Sequence, residues 1–210
     1  MFERPIVMLD FETTGLSPDG GDRITEVAAL RIAGGEIVDR YVSLVNCGVR
    51  IPSFITQLTG ITQKMVDGAP PAAEVVPALI DFIGGDVLAA HNASFDEKFL
   101  KAEGGLLGLD CRHAGLVCSL KLSRRVFPGL ASYKLGNLSQ SLGIVFGGRA
   151  HRAEADAEAA AHVLLHIGRH LGHSYGLRTV APELLVSLNR VAAAKVDRFL
   201  GAYVDGRSAA

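Results

Sequence analysis

Short apolar runs alternate along this chain with longer stretches whose apolar residues recur at helical spacing. The first run, "IVMLDFE", has strand length and is apolar on both faces until its end. Strand side chains alternate, so Asp10 and Glu12 project to one side, in line with Met8 and Ile6. "RITEVAALRI" and "EIVDRYVSLV", either side of Gly34-Gly35, predict a hairpin and hence three strands in succession. "IPSFITQLTGIT" predicts a loop and short helix, and "AAEVVPALIDFI" a helix behind a proline pair. The short strand "DVLAAH" leads straight into a helix, "NASFDEKFLKAEGG", entered through Asn92 or Ser94 and stopped by glycines. A strand near "GLVCSL" precedes the helical "KLSRRVF", closed by Pro128-Gly129, and "KLGNLSQSLGI" gives another short helix.

A glycine-rich loop then opens a long alanine-rich helix whose apolar stripe runs through Ala160, Val163, Leu164, Ile167 and Leu171. "LGHSYGLRT" reads as a linker. Beyond it Leu184, Leu188 and Val191, then Phe199, Leu200 and Tyr203, mark a C-terminal amphipathic helix or helix pair. Packing back on the same domain is its first expectation; docking a polymerase or self-association is the other. The pattern as a whole predicts an α/β fold, a mixed sheet flanked by helices over residues 1–173 with a helical extension at 174–210.

Composition narrows the function classes. A formal net charge of −1 argues against coating nucleic acid by bulk electrostatics, so any such contact is focused. Cys47, Cys111 and Cys118 are odd in number and form no C-x-x-C pair, so neither a disulfide framework nor a zinc knuckle is indicated and a reducing cytoplasm fits best. The N-terminus is unlike a secretory signal and no apolar run approaches the ~18 residues of a membrane span, so a cytoplasmic protein without a membrane partner is expected.

The candidate chemistry lies in the acids. Asp10 and Glu12 must share one small space, and they repel unless a proton, a cation or water intervenes. Asp96 opens a helix that leaves a strand end, and Asp156 heads the apolar stripe one turn before Ala160. Strand ends and the helix starts beside them are where open α/β sheets build their sites. Hard oxygen ligands from several elements, without cysteine, suit Mg²⁺ or Mn²⁺ better than Zn²⁺. His151, five positions before Asp156 in a glycine-rich loop, has the freedom a general base needs. Of the cations, Lys121, Arg124 and Arg125 read as a solvated helix face, whereas Arg149 and Arg152, flanking His151, are placed to meet a polyanion.

"LDFETTGL", "AHNASFD" and "HRAEAD" resemble the three motifs of the DEDD superfamily of 3′–5′ exonucleases, in the subgroup whose last motif is H-x-x-x-x-D. "LTGIT" and "YKLGNLSQSLGI" extend the similarity over about residues 5–172. The resemblance implies an RNase H-like fold with a five-stranded sheet, and release of nucleoside 5′-monophosphates from nucleic acid 3′ ends with two divalent ions. It implies Asp10, Glu12, Asp96 and Asp156 as ligands, with Asp10 bridging and Asp96 acting mainly through water, and His151 as base. By the same resemblance Thr13, Thr14 and Leu16 lie against the terminal sugar and base, with Thr59 nearby. Phe95 is placed either to stack on a base or to pack beside Phe99. Phe54 stands where the family pattern carries an acid, which leaves the choice between DNA and RNA open. Two rivals remain: a silent binding subunit on the same fold, and a haloacid dehalogenase-like phosphatase, for which "DFETTG" has glutamate where the D-x-D-x-T loop needs aspartate.

Overall fold

Five strands, β1 (Ile6–Thr13), β2 (Ile24–Ala33), β3 (Glu36–Leu44), β4 (Val87–Ala90) and β5 (Leu116–Cys118), form one sheet in the order β3-β2-β1-β4-β5. Strands β1 to β3 are antiparallel, and β4 and β5 run parallel to β1. This is seen in a computed structural model that describes residues 1–145, 147 and 150–208. The helices are α1 (Ser53–Thr59), α2 (Gln63–Asp67), α3 (Ala72–Ile83), α4 (Ser94–Leu106), α5 (Ser119–Val126), α6 (Leu135–Ser141), α7 (Ala153–Tyr175), α8 (Pro182–Leu188) and α9 (Val196–Ser208).

The alternation along β1 divides the core. Val7, Leu9 and Phe11 pack with Leu79 of α3 and Phe99 of α4 on one face. Ile6 and Met8 face the other layer, where Ala157, Ala160, Val163, Leu164 and Ile167 of α7 are buried with them. The alanines bring the α7 backbone close to the sheet, and this fixes where its first turn can lie.

Three expectations shift in detail. The helix after β4 starts at Ser94 with no side-chain cap and runs through Gly104 and Gly105 to Leu106. A Cβ on Gly104 would fall 2.3 Å from Cys111 Sγ, so this glycine serves close packing, not helix termination. The chain between α1 and α3 holds a second short helix, α2, capped by the Thr62 side chain accepting from Met65 N. The long helix extends to Tyr175, so the loop before α8 begins only at Gly176.

The C-terminal segment covers the molecule's own surface. Leu184, Leu185 and Leu188 of α8 and Val196 and Leu200 of α9 are buried in the same cluster as Ile6 and Met8. Asn189 meets the end of β5, accepting from Cys118 N through Oδ1 and donating to Cys118 O through Nδ2, so both backbone polar groups of that residue are matched. Burying five such side chains contributes on the order of 10 kcal/mol, comparable with the whole stability of a domain. Truncation after Gly172 is therefore expected to yield protein without a cooperative thermal transition. A truncated chain that melts within a few degrees of the full one would contradict this.

Candidate active site

β4 pairs with β1 only from Ile6 to Met8, so past Met8 that edge of β1 has no strand beside it among the described residues. Asp10 and Glu12 stand on this stretch, both half-buried, on the side that Ile6 and Met8 share. Asp96 comes from the opposite layer. Its helix packs through Phe99 and Leu100, and its carboxylate, 3% exposed, accepts from Phe11 N at 3.2 Å. The side chain thus occupies the ladder position that β4 leaves open. Asp156, in the first turn of α7, accepts from His151 N at 3.1 Å. Both helical layers deliver an acid to the point where the parallel pairing stops.

The electrostatics of these acids are those of a cation site. Burial first, then repulsion from Asp96, Asp156, Glu12 and Glu26, holds the Asp10 carboxyl well above the usual carboxylate range. Burial, then Asp156 and Glu26, lifts Glu12 to about 8, with Arg152 working against the rise. Burial, with Glu12 adding to it, raises Asp96 to about 8 although the N–H groups of Phe11 and of its own residue oppose this. Burial also raises Asp156, and His151 counters it. Glu12, His151 and Asp156 each bring a ligand atom to within 4.8 Å of the others. Oxygen-rich, anionic and lacking sulfur, the set fits hard divalent cations, whose charge offsets the repulsion that raises Glu12 and Asp96.

His151 is exposed and its backbone sits at φ 61°, a left-handed conformation that few non-glycine residues adopt. Its N–H is held by Asp156 while the ring remains free to reach solvent.

Glu26 is the residue that sequence reasoning missed. It lies opposite Glu12 in the β1–β2 register, is only 3% exposed, and accepts from Arg152 Nε at 3.0 Å, from Arg152 Nη2 and from Ala153 N at 2.9 Å. One buried carboxylate thus ties β2 to the N-terminus of α7, where the helix dipole favours negative charge. Its signal was present: an acid on the inward face of "ITEVAALRI", in phase with Ala28, Leu30 and Ile32. Arg152, expected to meet a polyanion, is instead committed to Glu26, and Arg149 lies outside the described residues. Glu26→Ala is expected to cost about 2–3 kcal/mol in urea unfolding, since Arg152 and the Ala153 N–H lose their acceptor.

The residues expected to touch substrate divide. The Thr13 hydroxyl donates to Gly15 O at 2.6 Å, and the Thr14 hydroxyl donates to Asp22 and accepts from Arg23 N. Thr59 is buried, donating to Ile55 O and accepting from Ile61 N, both at 3.0 Å. All three hydroxyls serve their own loops. Phe95 packs beside Phe99 with ring centroids 4.9 Å apart and is half-buried. Leu16, 78% exposed, alone projects freely into solvent, and Lys98 Nζ holds its carbonyl at 2.9 Å.

Comparison with known proteins places this geometry. The RNase_T model, described as exonuclease, matches residues 7–164. The 3′-5′ exonuclease DinG of Bacillus subtilis is 39% identical over 158 residues, which are 75% of this chain but 17% of DinG. The DNA polymerase III subunit epsilon of Aquifex aeolicus is 35% identical over 178 residues, 84% of this chain and 87% of that subunit. Among solved structures, the nuclease domain of 3′hExo, a DEDDh family member bound to rAMP, superposes with a TM-score of 0.69 at 25% identity, covering 83% of this chain and 94% of that one. The sheet order and flanking helices match the RNase H-like arrangement expected. Among the described residues no helix is long and apolar enough to cross a membrane.

Proposed function

This chain belongs to the RNase_T exonuclease family, and from that premise we propose that it removes nucleotides from the 3′ end of a nucleic acid strand, DNA in preference to RNA, releasing nucleoside 5′-monophosphates. The observation that carries the reading is the convergence of Asp10, Glu12, Asp96 and Asp156 at one strand end, where burial raises every carboxyl and repulsion adds to it at Asp10, Glu12 and Asp96. Glu12, Asp156 and Asp10 would hold one divalent ion, and Asp10 and Asp96 a second, Mg²⁺ or Mn²⁺. Such a pair supplies Lewis-acid stabilisation of both the attacking and the departing oxygen of an in-line displacement at phosphorus.

The protein's own groups do the rest. His151 accepts the proton of the attacking water, and its exposed ring and left-handed backbone let it reach the phosphate without moving α7. Leu16 offers an apolar surface to the last base, since a nucleobase face accepts any apolar partner. The match to most of the epsilon subunit's length supports editing beside a polymerase as the cellular role.

Mass spectrometry of the products from 3′-labelled single-stranded DNA, mismatched duplex and short RNA, each with Mg²⁺ or Mn²⁺, tests the reading; internal fragments, or nucleoside 3′-phosphates, would contradict it. His151→Ala is expected to lower kcat about 10³-fold, the scale of general-base catalysis, while calorimetric Mn²⁺ affinity stays within about tenfold. Equal loss of both would make His151 a ligand.

A further inference from the structure

On the other side of β4's end from the acid cluster lies a second cleft, of about 660 Å³, with His91, Asn92, Arg124, Tyr133, Lys134 and Leu135 in its walls. It begins at Asn92, four residues before Asp96, so it opens beside the candidate active site. His91 braces its floor. The ring lies 3.0 Å from Tyr133 O through Nε2 and 2.9 Å from Ser119 Oγ through Nδ1. A carbonyl only accepts, so Nε2 carries the proton and Nδ1 accepts from the serine hydroxyl. Burial, aided by repulsion from Arg124, lowers the histidine's pKa and keeps this tautomer in place. The loop bearing Tyr133 and Lys134 is thereby fixed to the end of β4.

The charge lining this cleft is one-sided. Arg124 lies 5.8 Å over the Tyr133 ring, Lys134 is exposed, and neither is in an ion pair among the described residues. Among the described residues no carboxylate lines the walls. Arg23, Arg31, Arg40, Arg112 and Arg152 by contrast have acidic partners, so Arg124 and Lys134 are among the cations left available for a polyanion. Arg124 over the Tyr133 ring, with Lys134 in the same walls, complements a chain of phosphates with bases able to stack.

We propose that this cleft holds the phosphate backbone of the strand upstream of its terminal nucleotide, with Arg124 and Lys134 as its anchors. The assignment rests on the exonuclease reading and names where that substrate continues. It makes the enzyme's grip on a strand depend on length, separately from chemistry at the last bond.

The test compares wild type with Arg124→Gln/Lys134→Gln on two substrates: a single-stranded 20-mer, and the p-nitrophenyl ester of thymidine 5′-monophosphate, which is too short to enter the cleft. The double variant is expected to raise KM for the 20-mer about tenfold or more and to flatten the salt dependence of 20-mer binding, read by anisotropy, by up to about two charges. Its turnover of the ester should stay at the wild-type rate. Unchanged binding and KM on the 20-mer would overturn the proposal, as would equal losses on both substrates. So would a poly-glutamate peptide that displaces the 20-mer at matched ionic strength, since the cleft would then suit an acidic protein. Wild type that binds the 20-mer through these residues but cleaves neither substrate would instead sink the exonuclease reading and leave the cleft assignment standing.

Discussion

Asp10→Asn is expected to abolish turnover and yet raise the melting temperature of the metal-free protein at pH 8. The two effects have one cause. Asp10 is pressed by four other carboxylates, Asp96, Asp156, Glu12 and Glu26, in a site that also withholds water from it. Neutralising it removes the repulsion shared by the whole cluster, and asparagine keeps the shape. In the proposed mechanism divalent ions offset the same repulsion, so losing the anion that would bridge them is expected to lower the rate by about 10⁴-fold, a barrier increase of roughly 5–6 kcal/mol. Differential scanning fluorimetry in chelator, paired with a 3′-labelled oligonucleotide assay, reads both. A variant that is inactive but less stable would show that Asp10 is a structural residue.

The second large effect is on the pH dependence of stability. Glu12 and Asp96 are raised to about 8 in the folded protein from ordinary values near 4. Between those limits the native state binds more protons than the unfolded chain, and stability falls as pH rises. Below about pH 4 both states are protonated and the difference vanishes; above about pH 8 both are ionised and the full penalty applies. Metal-free protein should therefore lose at least about 5 °C in melting temperature from pH 5 to pH 8, with a size-appropriate scale of 2–4 °C per kcal/mol. Saturating Mn²⁺ should erase most of that slope, because bound dications favour the ionised carboxylates. Parallel curves with and without Mn²⁺ would mean that the acids are not where the ions bind.

Much of this site was legible before any coordinates. Asp10 and Glu12 announced themselves by ending an apolar strand in two anions on one face, and Asp156 by standing in register with the stripe that begins at Ala160. Periodicity also gave the hairpin, the long helix and the mixed sheet. Reach across layers was not legible. Glu26 acts on Arg152 and Ala153, more than 120 residues away in sequence, and that distance is closed only when β2 packs beneath α7. The hydroxyls of Thr13, Thr14 and Thr59 were equally opaque, since whether a threonine faces a ligand or its own turn depends on backbone geometry that spacing alone does not encode. Gly104-Gly105 misled for a related reason: glycines can end a helix, but here one admits a cysteine sulfur from a neighbouring loop.

The tie between Glu26 and the root of α7 also sorts the site into mechanical parts. Arg152 and Ala153 are pinned to β2, and the N–H of His151, whose backbone occupies a sparsely populated conformation, is held by Asp156. Asp156 belongs to the scaffold, and the His151 backbone is anchored to it while the imidazole stays exposed. In the proposed mechanism, rotation of the imidazole alone would let a spent nucleotide leave, and the carboxylates that would hold the ions need not loosen between one cut and the next.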